Sequence, residues 1–372
     1  MKKNVLIIGA GGVAQVVAHK CAQNNDVLGD IHIASRTKAK CDKIIASVHE
    51  KKAMKQPGVL EGHALDALDI EATKALIAST KSGIVINVGT AFLNMSVLRA
   101  CMDTGVAYID TAIHEEPGKI CETPPWYGNY EWKRAAECEE KGITAILGAG
   151  FDPGVVNFRE FTGVVYSWQN GQWQTNKMFE IGKDYDLPVV GTRRAYLCGH
   201  DEVHSLARNM DGANVRFWMG FGDHYINVFT VLNKLGLLSE QPVKTAEGQE
   251  VVPLKVVKAV LPDPASLAPG YEGKTCIGDY VKGLKDGKEK TVFIYNVADH
   301  KEAYEEVGSQ GISYTAGVPP VAAAMLVATG EWDVKKMANV EELPPKPFIN
   351  LLNRIGLPTR IQDEDGDRAV SF

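Results

Sequence analysis

A doubly wound parallel α/β domain followed by an α+β region is predicted by three features of the sequence. The first is the apolar run Val5-Leu6-Ile7-Ile8, which leads directly into the glycine turn Gly9-Ala10-Gly11-Gly12. The second is an alternation of short apolar strands with helical periodicity that continues to residue 147. The third is the end of that alternation after Gly154, where aromatic-rich strand patterns take over.

Residues 4–8 are apolar without alternation, as expected for a strand buried on both faces of a parallel sheet. After the turn, Val13, Val16, Val17 and Cys21 recur at helical spacing, and Ile31–Ala34 makes a second strand that ends in Ser35-Arg36-Thr37. The pattern continues with a helix near 38–50, a weak strand near 59–64, a helix near 70–80 and a strand at 84–87. A helix at 93–103, a strand at 106–109, a helix at 129–141 and a strand at 143–147 complete it. Six strands with intervening helices is the doubly wound, or Rossmann, count. Beyond Gly154, strands are expected at 164–168, 176–182, 193–198 and 214–219, with a hairpin turn at Asn170-Gly171 and helices at about 201–209 and 223–236. The segments 275–283 and 290–297 alternate across Asp286-Gly287, a second hairpin signal. Proline-rich connections fall at 242–254, 262–273 and 343–347. From about residue 313 the pattern is mostly helical, and Val321–Ala328, apolar nearly all round, must be buried. The expected organisation is a Rossmann domain at 1–150, an α+β substrate and dimerisation domain with a mixed sheet at 151–312, and C-terminal helices at 313–372 packing back on the first domain.

Composition narrows the partners. The 372 residues are 45% hydrophobic and 23% charged, the usage of a chain that folds throughout. Forty basic against forty-six acidic residues, with no basic track, point away from nucleic acid and membrane surfaces and toward small molecules. Seven scattered cysteines without a C-x-x-C pair suit a reducing compartment. Glycines interrupt the N-terminal apolar run before a signal-peptide core is reached, and no other apolar stretch approaches the ~20 residues that span a bilayer. A cytoplasmic protein is expected.

The chemistry-bearing residues gather at strand ends. Gly9, Gly11, Gly12, Val13 and Ala14 form a G-x-G-x-x-A turn between strand and helix, which suits a dinucleotide pyrophosphate held on backbone N–H groups. An NAD enzyme usually carries an acidic residue at the end of the second strand. Here Ser35, Arg36 and Thr37 stand there, and a cationic fork with hydroxyl neighbours fits the 2′-phosphate of NADPH instead. Ligands of open α/β sheets sit beyond the carboxyl ends of the strands. That places Asn87, Val88 and Gly89, then Asp110, Thr111 and Ala112, then Gly150, Phe151, Asp152 and Pro153 near the nicotinamide, with helix capping and a domain hinge as the alternatives. In the second domain Gly199–His204 reads H-x-E-x-H rather than H-E-x-x-H, and Asp201 with Glu202 reads as a helix start, so no metal is expected. Arg193-Arg194 lies upstream on a strand, and Asp299-His300 ends another.

Several blocks resemble a known family. GAGGVA at 9–14, ASRT at 34–37, YIDTA at 108–112 and GFDPGVVN at 150–157 resemble the saccharopine dehydrogenase-like reductases. More closely, RFWMGFGDHY at 216–225, KAVLPDP at 258–264, YNVADH at 295–300 and GSQGISYTAGVP at 308–319 resemble the carboxynorspermidine (carboxyspermidine) dehydrogenases of that family. The resemblance implies NADPH-dependent reductive condensation of L-aspartate 4-semialdehyde with 1,3-diaminopropane or putrescine, in polyamine biosynthesis. It also implies a crossover helix, a strand and a glycine-rich acidic segment after GFDPGVVN. Here Asn157 runs straight into Phe158, so either this chain has a deletion there or a segment belongs at that join, and the second is expected.

Such a reaction needs a cation for the amino acid's carboxylate, an acid for the distal ammonium of the diamine and a proton shuttle for loss of water. Arg193 or Arg194 is a candidate for the first, Asp201 and Asp299 for the second, and His114, Asp152, His200 and His300 for the third, unranked. The alternatives are a saccharopine-type reductase making a secondary amine from a keto acid, and a non-catalytic NADPH-sensing module. A homodimer is expected.

Overall fold

The computed structural model describes residues 2–114, 129–150, 164–177, 179–262 and 264–372. They fall into two compact units. One holds the described residues up to 150 together with Ala268–Phe372, and the other holds those from 164 to Leu267.

The first unit opens with β1 (Asn4–Ile8), α1 (Gly12–Gln23), β2 (Ile31–Ser35), α2 (Lys38–Glu50), β3 (Leu60–Ala64), α3 (Ile70–Ser79) and β4 (Ser82–Asn87). It continues through α4 (Asn94–Thr104), β5 (Ala107–Asp110), two short helices α5 (Asn129–Trp132) and α6 (Ala135–Glu140), and β6 (Ala145–Leu147). The sheet is parallel and both its faces are covered. Val5, Ile7, Ile31, Ile33, Ile84 and Ile86 pack with α1 and α2, while Leu6, Ile8, Ala34, Val85 and Tyr108 pack with α3 and α4. This alternation explains why β1 is apolar at every position from Val5 to Ile8.

The second unit contains β7 (Val164–Gln169), β8 (Gln172–Lys177), β9 (Gly182–Leu187), β10 (Gly191–Cys198), α7 (Asp201–Asn209), β11 (Phe217–Gly220), α8 (Asp223–Lys234), β12 (Val243–Lys244), β13 (Glu250–Val251) and α9 (Pro253–Val260). Its strand pairs, β7 with β8, β10 with β9 and β11, and β12 with β13, are all antiparallel, so the mixed sheet expected here is antiparallel among the described residues. Asn170 and Gly171 both take positive φ, 52° and 73°, as the two-residue hairpin between β7 and β8 requires.

The chain then returns to the first unit with β14 (Lys274–Lys285), β15 (Lys288–Asp299), α10 (His300–Val307), α11 (Gly311–Thr329), β16 (Met337–Asn339), α12 (Pro345–Arg354), β17 (Thr359–Asp363) and β18 (Gly366–Ala369). Residues 268–312, expected with the α+β domain, therefore belong to the first unit. The reason is continuity: β15 feeds α10 directly, and α10 and α11 pack on α1. The tail is also less helical than expected. β16 joins β6 as a seventh parallel strand, giving the order β16-β6-β5-β4-β1-β2-β3, and β17 and β18 extend the β14–β15 hairpin into a four-stranded antiparallel sheet.

The helix α11 has the 19-residue length and the hydropathy of a membrane span, contrary to the expectation that no such stretch exists. It is the core helix of the unit, with Val321–Val327 buried on every side. Gly317 lets it approach α1 closely, because a Cβ there would lie 2.6 Å from Val16 Cβ.

Candidate active site

Each small residue of the glycine turn has a separate task. Gly9 takes φ +119°, and a Cβ on it would stand 2.9 Å from Val88 O and 3.0 Å from Gly89 N, so the turn fits against the end of β4 only with glycine. At Gly11 a Cβ would meet nothing within 4 Å, so the backbone is open to an approaching group. Gly11 is also the N-cap of α1 and supplies no side-chain cap, which leaves the first-turn N–H groups for a ligand. Gly12 is a packing position: a Cβ would lie 2.8 Å from Ser313 Oγ, and Ser309 Oγ donates to Gly12 O at 3.1 Å. Ala14 is fully buried beneath it. An open cradle on an uncapped helix N-terminus fits a pyrophosphate.

The end of β2 separates the three residues expected at the ribose. Arg36 is exposed and makes no hydrogen bond or ion pair among the described residues, which leaves its guanidinium available to a 2′-phosphate. Thr37 is exposed as the N-cap of α2 and makes no side-chain cap. Ser35 is engaged locally. Its Oγ donates to Thr37 O at 2.9 Å and accepts from Cys41 Sγ at 3.3 Å, so it shapes the turn that presents Arg36. Lys38 is held by Asp42 at 2.7 Å.

At the carboxyl ends of β4 and β5 the structure builds a buried polar network. Asn87 Nδ2 donates to Asn94 Oδ1 at 2.8 Å, and Gly89 N donates to Asn87 Oδ1 at 3.2 Å. Asn94 Nδ2 in turn donates to Ala112 O at 2.6 Å and Glu131 Oε1 at 2.8 Å, with Asp110 Oδ2 at 3.4 Å. Asp110 Oδ1 accepts from Gly148 N at 2.7 Å, tying β5 to the end of β6. Glu131 Oε1 also accepts from His114 N at 3.0 Å, and the buried His114 ring lies edge-on to Phe92 and Tyr130. Asn87 and Asp110 thus hold the loops at the sheet's carboxyl edge in place, and Asn94 and Glu131, which sequence reasoning missed, complete the network. Val88 is partly buried against the core, and Thr111 packs close to Gly150, where a Cβ would lie 2.8 Å from Thr111 Cβ and 3.0 Å from Ala316 O.

Burial pushes the Asp110 carboxyl up to about 7, with the Gly148 N–H pulling against it. The folded chain therefore keeps this proton to higher pH than the unfolded chain does. Asp110's contribution to stability is complete below about pH 4 and is lost toward about pH 7, at ~1.4 kcal/mol per pH unit. Asp110→Asn carries no charge at any pH, so it should gain on the wild type by about 2 kcal/mol in urea unfolding between about pH 5 and about pH 7. A stability difference that stays constant over that range would show that Asp110 ionises as an ordinary carboxyl.

The remaining expected residues have defined local partners. His300 Nδ1 accepts from Gly311 N at 3.0 Å, joining α10 to the start of α11, and its ring meets Tyr271 edge-on. Asp299 caps α10, accepting from Lys301 N at 2.9 Å and Glu302 N at 3.2 Å. Both have helix-terminus roles in this structure. In the second unit Arg194 on β10 pairs with Asp184 on β9 at 3.1 Å, whereas the exposed Arg193 makes no ion pair among the described residues and donates to Thr192 O at 2.9 Å. His200 stacks on Phe217 and contacts Glu202 through Nδ1, and Asp201 begins α7. Phe151, Asp152, Pro153 and the join at 157–158 lie outside the described residues.

The parallel sheet, the open glycine turn and the unengaged Arg36 define a dinucleotide-binding oxidoreductase. Residues 5–146 match the saccharopine dehydrogenase NADP binding domain, and residues 150–357 match the saccharopine dehydrogenase C-terminal domain. The chain belongs to the saccharopine dehydrogenase family and is an NADP-dependent oxidoreductase of the class acting on CH–NH groups. It is similar to a carboxynorspermidine synthase of Vibrio alginolyticus, 42% identical over 407 residues that cover 98% of each chain. It is also similar to a carboxynorspermidine synthase of Vibrio cholerae, 41% identical over 95% of each chain. A carboxyaminopropylagmatine dehydrogenase of Synechocystis is 37% identical over 95% of this chain and 96% of its own. The first alignment is 407 positions long, more than the 372 residues of this chain, so it opens gaps in this chain. Among solved structures, apo saccharopine dehydrogenase (L-Glu forming) from Saccharomyces cerevisiae shares the fold, with a TM-score of 0.63 at 14% identity over 97% of this chain and 99% of that one.

Proposed function

We propose that the protein is an NADPH-dependent carboxynorspermidine or carboxyspermidine dehydrogenase of polyamine biosynthesis, condensing L-aspartate 4-semialdehyde with 1,3-diaminopropane or putrescine. The observation that carries this reading is the similarity along nearly the whole chain, second unit included, to the two Vibrio carboxynorspermidine synthases. The unengaged Arg36 supports NADPH as the reduced cofactor. A homodimer in the cytoplasm is part of the proposal.

When bound, NADPH supplies the hydride. The backbone N–H groups following Gly11 hold its pyrophosphate, Arg36 its 2′-phosphate, and the network of Asn87, Asn94, Asp110 and Glu131 keeps the loops at the sheet's carboxyl edge fixed. The uncharged amine adds to the aldehyde carbon, water leaves and the resulting C=N bond is reduced to the secondary amine. An iminium accepts hydride better than the free aldehyde does. The rate should therefore rise above neutral pH as the attacking amine loses its proton, and fall where the distal ammonium is lost.

A second reading follows from the Synechocystis relative, whose name contains an agmatine unit: under it, this chain takes agmatine in place of the diamine. A panel of amines offered with NADPH and semialdehyde separates the two. The diamine reading expects 1,3-diaminopropane or putrescine to give the highest kcat/KM. A monoamine of equal length should lose a few kcal/mol of transition-state binding, because it lacks the distal ammonium that the diamine reading pairs with an acid. Highest turnover with agmatine supports the second reading, and faster turnover of a keto acid with lysine contradicts both.

A further inference from the structure

We propose that His32, Glu61 and His63 form a binding site for one zinc ion at the β2–β3 edge of the parallel sheet. β3 is the edge strand, and its register sets His32 beside Glu61 and Ala34 beside His63. Residues paired in a parallel ladder, and residues two apart on one strand, share a face. All three side chains therefore stand on the face opposite Ile33 and Gly62, where Gly62 packs against Cys41 and Asp42 of α2.

Their donor atoms converge. His32 Nδ1 and His63 Nε2 are 3.0 Å apart, His63 Nε2 and Glu61 Oε2 are 4.0 Å apart, and all three ligand atoms lie within 4.8 Å of one another. Metal–ligand distances of about 2.0–2.2 Å at tetrahedral angles put neighbouring donors roughly 3.3 Å apart. The imidazole nitrogens need to separate by only a few tenths of an ångström, and the Glu61 side chain, 61% exposed, is free to swing inward. Two imidazoles and one carboxylate form a borderline donor set that suits zinc over calcium or magnesium, with water in the fourth position.

Without a metal the same geometry is a hydrogen bond between the two imidazoles. An ion here clips the edge strand to β2 immediately before Ser35 and Arg36.

The test is a zinc sulfate titration of the untagged, chelator-treated protein in competition with a chromophoric chelator, with X-ray absorption on the loaded sample. The expected result is one zinc per chain bound by two imidazoles and oxygen. His63→Ala should weaken binding at least roughly tenfold, and Glu61→Gln should weaken it to a smaller extent. NADPH binding reports that each variant is folded, and if His63→Ala fails that check, Glu61→Gln carries the comparison. No stoichiometric binding, unchanged affinity in the folded variants, or sulfur in the first coordination shell would overturn the proposal.

Discussion

Replacing Glu306 with alanine is expected to cost the fold about 3 kcal/mol, read as a shift in the urea unfolding midpoint. Lys20 is 1% exposed, and its Nζ reaches Glu306 Oε1 at 2.5 Å and Ile355 O at 2.7 Å while lying 4.6 Å above the Tyr314 ring. Tyr314 OH donates to Glu306 Oε2 at 2.7 Å, and Gln23 Nε2 donates to Oε1 at 3.0 Å. This cluster locks α1, which carries the glycine turn, to α10 and α11. Removing the carboxylate leaves a buried ammonium without its counter-charge. The size is set at the lower end for broken buried pairs because the Glu306 side chain is 38% exposed. The double variant Lys20→Met with Glu306→Ala should recover most of the loss, since an apolar side chain of similar volume needs no partner. A double variant as unstable as Glu306→Ala alone would show that packing, not charge, holds the helices together.

Arg36→Ala should weaken NADPH binding roughly ten- to a hundredfold, corresponding to about 1.5–3 kcal/mol for a charge-assisted hydrogen bond, and leave NADH nearly unchanged. Arg36 has no other partner among the described residues, so its loss disturbs no internal interaction. Fluorescence titration with each cofactor measures the two affinities separately. Equal losses for both would mean that Arg36 acts on the turn's conformation and not on the 2′-phosphate.

Local signals in the sequence anticipated much of this architecture. The glycine turn, the six parallel strands β1 to β6 with their five helical crossovers and the helix at Asp201–Asn209 lie where periodicity placed them, and both two-residue hairpins have positive φ at Asn170-Gly171 and Asp286-Gly287. What was illegible depends on distant pairing. β16 has only three residues, Met337–Asn339, and is a strand because β6 accepts it at the sheet edge. β17 and β18 exist because β15 offers an open edge beyond its pairing with β14. Asn94 and Glu131 read as ordinary helix residues, and only the meeting of α4, α5 and β5 makes them a buried network with Asp110. Lys20 and Glu306 are a pair across 286 positions of sequence, and no local pattern connects them. The second-unit arginines show the converse limit: residue type marked both as candidates, and only the fold shows that Arg194 pairs with Asp184 across β9 and β10.

The central claim, reduction of a C=N bond formed from the semialdehyde and a diamine, is tested most directly with NADPH carrying deuterium in the transferred position. The protein incubated with this cofactor, L-aspartate 4-semialdehyde and 1,3-diaminopropane should yield carboxynorspermidine with one deuterium on the carbon that joins the new nitrogen, detected by mass spectrometry. Omitting the diamine should leave the cofactor unconsumed. Deuterium recovered in an alcohol made from the aldehyde alone, or cofactor bound without any labelled amine, would contradict the account.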